Sequence, residues 1–216
     1  MVGAPPKILT NTWVKASWDE FIAIADNPDS PANLEKAKFY YERGRMRIED
    51  MTTGPAHGFN HFFLSSVLSL YGTIKNINFQ PFDNTTFRKT GERNCQPDLA
   101  LYIGRTIAEL LAENSPIDVG KHGAPDLAIE VSASTIYDDL GAKRLLYERL
   151  DAKEYWIVDV GAAAIIAFAI ENGGSRQIRT SQVLPGLEMA TIEEALQRAK
   201  ADSISTANRW LMEQFT

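Results

Sequence analysis

"APDLAIEVSASTIYDDLGAKRLLYERL", residues 124–150, joins a strand-like run to a helix-like run, with an acid inside the first and a lysine inside the second. Side chains alternate along an extended chain, so Leu127, Ile129 and Val131 share one face while Asp126, Ala128, Glu130 and Ser132 share the other. In the helical half, at about 100° per residue, Ile136, Leu140, Tyr147 and Leu150 form an apolar stripe with Lys143 close to its centre. An ammonium on a packing face needs an anion to meet it. A helix that follows its strand after only a few residues packs back beside it, which brings Lys143 toward Glu130. The plainer readings are a partly exposed glutamate or one paired with a buried arginine, and a lysine whose stem covers apolar surface.

A near-copy lies upstream. "QPDLALYI" (96–103) repeats Pro-Asp-Leu-Ala, with Leu99, Leu101 and Ile103 on one face and Asp98, Ala100 and Tyr102 on the other. Asp126 and Glu130 are roughly 13 Å apart along one strand at about 3.3 Å per residue, too far to share an ion. Glu130 therefore needs a partner from another strand, and Asp98 is the best candidate. Asp126 reads as a structural residue at a loop or strand end. Two carboxylates with a lysine aimed between them suit phosphodiester hydrolysis. The acids hold Mg²⁺, the metal polarises a phosphoryl oxygen and acidifies a bound water, and the lysine orients that water or offsets developing charge. "SAST" (132–135) is placed to cap the helix.

Around this segment the pattern reads as an α/β domain. Ser17 and Glu20 form a capping box for a helix in "SWDEFIAIA" (17–25), and "KAKFYYER" and "MRIEDM" make a hairpin around Gly44. "PAHGFNHFFLSSVLSLYG" (55–72) is a largely buried helix ending in glycine. Strands are predicted at 73–80, 85–90 and 97–103, with a short helix in "RTIAELLAE" before a loop that runs to 123. Strands at 154–160 and 163–170, a turn at 171–175 and an amphipathic helix over about 191–214 complete the chain. The expected organisation is a single domain over 1–216, with helix and hairpin at about 17–51 and a core at about 55–190. A central mixed sheet is flanked by helices.

The bulk properties bound the function. The chain has 216 residues, 44% hydrophobic, enough for a sizeable core. Its net charge of −6 argues against bulk attraction to nucleic acid. Lys and Arg gather locally at 35–47 and 141–150, where a solvated face is the commoner meaning. The lone Cys95 excludes an internal disulfide, and the absence of a signal-like or spanning segment leads us to expect a soluble cytoplasmic protein with no membrane partner.

At the residues quoted above the sequence resembles the PD-(D/E)XK nuclease superfamily, and more narrowly the bacterial Uma-two family of endonucleases. The resemblance runs from "WDEFIAIA" through "FYYERGRMRIEDMTTGPAH", "QPDLALYI" and the 124–150 segment to "KEYWIVD" and "LPGLEM". It implies a restriction-endonuclease-like fold and a metal-dependent endonuclease acting on nucleic acid, DNA above all. Asp98 and Glu130 would be metal ligands, with the Val131 carbonyl completing the coordination of Mg²⁺ or Mn²⁺. The superfamily lysine two residues after the second acid is replaced by Ser132, and Lys143 stands where related families supply it from the next helix. A homodimer is expected, since cutting two strands takes two sites.

Secondary candidates surround this set. His57 matches a histidine that recurs in the family and with Glu49 would border the site; equally it caps the start of its helix. His57 and His61 have the i, i+4 spacing of zinc ligands but show no third ligand. Tyr137 and Asp139 are placed to orient Lys143 or the metal water. Cys95 reads as a small buried residue, and Tyr155 and Trp156 as core. Two rival functions remain: a catalytically weak or inactive module that binds nucleic acid or protein on the same fold, and a hydrolase of a small phosphorylated compound, which would need a closed pocket.

Overall fold

A computed structural model describes residues 9–27, 34, 37–50, 54–112 and 114–216. The first residues of the chain, Lys36 and Met51 at the outer ends of the hairpin segments, and Glu113 lie outside that set. In chain order the elements begin with β1 (Trp13–Lys15), α1 (Trp18–Ala25), β2 (Lys38–Glu42), β3 (Arg45–Glu49) and α2 (Pro55–Lys75). Then come β4 (Phe79–Asp83), β5 (Phe87–Lys89), β6 (Arg93–Cys95), β7 (Leu99–Ile103), a 3₁₀ turn (Ala108–Ala112), β8 (Ile117–Asp118) and α3 (Val119–His122). Next, β9 (Leu127–Ser132) leads into α4 (Ile136–Asp138), a π-helical turn (Asp139–Lys143) and α5 (Arg144–Leu150). Finally β10 (Glu154–Asp159), β11 (Ala164–Glu171), β12 (Gly174–Ile178), α6 (Met189–Ala201) and α7 (Ile204–Phe215) complete the fold.

The strands form two mixed sheets, one ordered β1-β3-β2-β6-β5-β8 and the other β12-β11-β10-β9-β7-β4. In the second, the two Pro-Asp-Leu-Ala segments are antiparallel neighbours, with Leu99 opposite Ile129, Ala100 opposite Ala128 and Leu101 opposite Leu127. That register, extended by one residue, sets Asp98 opposite Glu130. The alternation read from the sequence separates two cores. Leu99, Leu101, Leu127, Ile129 and Val131 pack with α2, α6 and α7, whereas Ala100, Tyr102 and Ala128 pack with Tyr40, Phe87 and Cys95 of the first sheet and with Leu146 and Tyr147 of α5. The acid-bearing face therefore looks toward the first sheet, and the site is built between the sheets.

The hairpin β2–β3 turns through Arg43 and Gly44, both at positive φ, between the paired Glu42 and Arg45. A two-residue turn of this hand matches the twist of the flanking strands. Its register makes Lys38 face Glu49 and Tyr40 face Arg47. The capping box at Ser17 and Glu20 is formed in full.

Several boundaries differ from the sequence reading. The helix predicted to end at Gly72 runs on to Lys75 and closes on Asn76 in the left-handed conformation, so the strand expected at 73–80 starts only at Phe79. Gly72 is kept for another reason: a Cβ there would collide with the Phe79 ring. Where a short helix was expected at 105–113, Ala108–Ala112 form a 3₁₀ turn. "ENGGS" is both a turn and the start of β12, and the C-terminal helix breaks at Asp202 before Ser203 caps a second one. Thr135 stands at the helix start, but its hydroxyl gives its hydrogen to Asp139 Oδ2 at 2.7 Å instead of taking a backbone N–H.

Candidate active site

Glu130 sits at the middle of β9, 3% exposed, and both of its oxygens are engaged. Oε1 accepts from the Tyr147 hydroxyl at 2.8 Å and the Tyr40 hydroxyl at 3.1 Å. Oε2 faces two ammoniums at ion-pair distance, Lys38 Nζ at 3.7 Å and Lys143 Nζ at 3.8 Å. Asp98, at the entry to β7, accepts from the Val131 N–H through Oδ2 at 2.6 Å and from Lys38 Nζ through Oδ1, also at 2.6 Å. One lysine thus bridges Asp98 and Glu130. Beside it, the His57 ring lies 3.5 Å from Asp98 Oδ1.

Lys143 is fixed more deeply. The π-helical turn adds a residue to the helix, and Asp139 and Lys143, four residues apart and so on one face, both point inward from it. Lys143 Nζ contacts Glu49 at 2.9 Å, Asp139 at 3.0 Å and the face of the Tyr40 ring at 4.5 Å, and the residue is 1% exposed. Arg47, also buried, pairs with Glu49 at 3.1 Å and with Asp138 at 3.0 Å.

Burial raises the Glu130 carboxyl, which the two lysines only partly offset, so that it titrates at about 7. The same burial would raise Asp98, but Lys38, the His57 hydrogen bond and the Val131 N–H outweigh it and hold Asp98 well below the ordinary range. Burial opposes the charge on Lys143, yet Glu130, Asp139 and Glu49 around it keep it firmly protonated. Asp98 raises His57 from its ordinary value.

The acids open onto a cleft of about 310 Å³ bordered by Lys38, Arg47, Glu49, His57, Asp98, Glu130, Val131, Thr135 and Asp138. Lys143 does not border it. The expected pair Asp98 and Glu130 is brought together, with Lys143 beneath, and Glu49, His57 and Asp139 all join the group. Tyr137 does not: it is 88% exposed, so it does not orient Lys143. Asp126 is structural, accepting from the Ile103 N–H and pairing with Lys153. His61 lies against the Asp98 carbonyl and Asp83, its ring stacked 6.1 Å from His57. Cys95 is buried, and burial pushes its thiol up, away from nucleophile chemistry. Tyr155 and Trp156 are core.

Lys38 and Tyr40 were missing from the sequence reading. Their signal was the hairpin's own alternation, which sets Lys38, Tyr40 and Glu42 on one face; placing that face against β9 requires the tertiary fold.

Among the described residues no three His, Cys, Asp or Glu side chains form a ready metal cage. The oxygens that converge, both on the Lys38 ammonium, are Asp98 Oδ1 and Glu130 Oε2. Mg²⁺ commonly takes one or two carboxylates and keeps waters for the rest. This hard-oxygen set fits such an ion, with the Lys38 ammonium standing where the ion's charge would be needed.

A sheet carrying paired acids on adjacent strands, with one lysine between them, fits the nuclease-like α/β class expected from the sequence. The family model Uma2, described as "Putative restriction endonuclease", matches residues 18–204, and the chain belongs to that family. Among solved structures, the chain is similar to a protein from Anabaena variabilis described as "a putative nuclease belonging to DUF820". The two share 17% identity at a TM-score of 0.52, over 91% of this chain and 99% of the other. A comparison with curated proteins finds no match.

Proposed function

We propose that the protein is a Mg²⁺-dependent endonuclease that hydrolyses phosphodiester bonds in nucleic acid, with DNA the preferred substrate. The observation that carries this reading is the meeting of Asp98 and Glu130 on adjacent strands, at the wall of an open cleft and under lysine charge. Asp98 and Glu130 would hold the ion, with the Val131 carbonyl as a main-chain donor, and the same oxygens would accept Mn²⁺. Bound there, the metal would supply Lewis-acid activation of a phosphoryl oxygen and of water. The chain's own contribution is positioning. The Val131 N–H fixes the Asp98 rotamer, Tyr40 and Tyr147 fix Glu130, and Lys143 holds Glu49 and Asp139 in place behind them while supplying positive charge to the site. Arg47 and His57 line the cleft among its carboxylates, and a bound divalent ion would supply the positive charge that an entering phosphate needs.

The family's name and the Anabaena protein's description support the reaction class. The test is cleavage of supercoiled and single-stranded DNA with and without Mg²⁺ or Mn²⁺. The expected result is metal-dependent nicking that is lost in the Asp98→Ala, Glu130→Ala double variant. We also propose a homodimer, which light scattering would report as a mass near twice 24.0 kDa.

A further inference from the structure

The structure supplies the site with two lysines in different situations. Lys143 Nζ is surrounded by Glu49, Asp139, Glu130 and the Tyr40 ring and does not border the cleft. Its closest partners, Glu49 and Asp139, are not the acids that would hold an ion, so ion binding leaves it pinned. Lys38 borders the cleft, and its ammonium contacts Asp98 at 2.6 Å and Glu130 at 3.7 Å. Those are the two carboxylates expected to take the ion. A buried ammonium and a divalent cation cannot both occupy the space between the same two oxygens, because like charges a few ångströms apart repel strongly at low dielectric.

We propose that Lys38, rather than Lys143, is the lysine that meets the substrate's phosphate, after yielding Asp98 and Glu130 to the divalent ion. This rests on the metal-dependent reading above and adds to it a competition for the acids and a catalytic residue. In the absence of metal, Lys38 neutralises the two acids and keeps them paired. Once the ion takes their charge, the ammonium loses its anions and sits at the cleft wall with a phosphate as the available partner. Asn11 and Thr135 border the same cleft and offer uncharged polar groups beside it.

Calorimetry tests this without relying on cleavage. Mn²⁺ is titrated into the wild type and into Lys38→Met, Lys38→Gln, Lys38→Arg and Lys121→Met, with thermal melting to confirm folding. Removing the competing cation should tighten Mn²⁺ binding by about tenfold or more in Lys38→Met and Lys38→Gln. Lys38→Arg should restore weak binding, and Lys121→Met, which removes an exposed lysine outside the cleft, should change it by less than about threefold. A thymidylyl dinucleotide titrated into the Mn²⁺-loaded proteins should then bind at least about tenfold more weakly to Lys38→Met than to wild type. Mn²⁺ binding unchanged in both Lys38→Met and Lys38→Gln, or dinucleotide binding as tight in Lys38→Met as in wild type, overturns the proposal. If both titrations behave as stated but the wild type cuts no DNA, the endonuclease reading fails while the role of Lys38 in binding metal and phosphate stands.

Discussion

Glu130 and Lys143 show how far single residues can be read. A carboxylate inside an apolar strand and an ammonium inside an apolar helical stripe each demanded a partner, and they lie 3.8 Å apart. Lys38 escaped notice because nothing in "KAKFYYER" marks it as buried; only the packing of one sheet on the other gives it anions. Two expectations belong to this scale. Lys143→Met leaves Glu49, Asp139 and Glu130 facing one another without their shared cation, and should cost about 3–5 kcal/mol in denaturant unfolding. The folded Glu130 titrates at about 7 against an ordinary 4.5, so the unfolded chain gives up this proton first. Its contribution is therefore favourable at low pH and lost as pH rises from about 4.5 to 7, with a slope approaching about 1.4 kcal/mol per pH unit. Unfolding curves of metal-free wild type and Glu130→Gln should diverge across that window, the variant gaining on the wild type as pH rises. Parallel curves would refute the raised value.

Elements were legible where periodicity was long and terminal signals were plain. The capping box of α1, the body of α2 and the alternation of β7 and β9 all follow from sequence pattern. Where pattern and packing competed, packing prevailed. Gly72 looked like a helix stop but is a contact point for the Phe79 ring, and Gly72→Ala should destabilise the fold by about 1–3 kcal/mol through overpacking, seen as a lowered melting midpoint. The π turn over Asp139–Lys143 had no visible signature, since a helix with one extra residue keeps the same composition. Glu154 illustrates a silent tie between elements. Its buried carboxylate accepts from Trp156 Nε1, Ser181 Oγ and the Gln182 and Val183 N–H groups, joining β10 to the loop before α6. Glu154→Gln turns one acceptor into a donor facing donors and should cost about 1–3 kcal/mol or more by chemical denaturation.

Across the whole molecule, the site exists because two sheets meet. The second sheet brings the acids, on strands whose pairing the repeated Pro-Asp-Leu-Ala already suggested. The first sheet brings Lys38, Tyr40 and Glu49, and the helix after β9 brings Lys143 and Tyr147. The sequence reading expected one central sheet with a hairpin attached. The hairpin instead founds a second six-stranded sheet, because β5, read from the sequence at 85–90, and β6 and β8, too short to be distinct there, extend it beyond β2. No helix among the described residues is long and apolar enough to cross a membrane. The most direct measurement is nicking of supercoiled DNA in Mg²⁺ by the wild type beside the Asp98→Ala, Glu130→Ala variant. The account predicts cleavage that requires the metal and disappears with the two acids; equal cleavage by both proteins would contradict it.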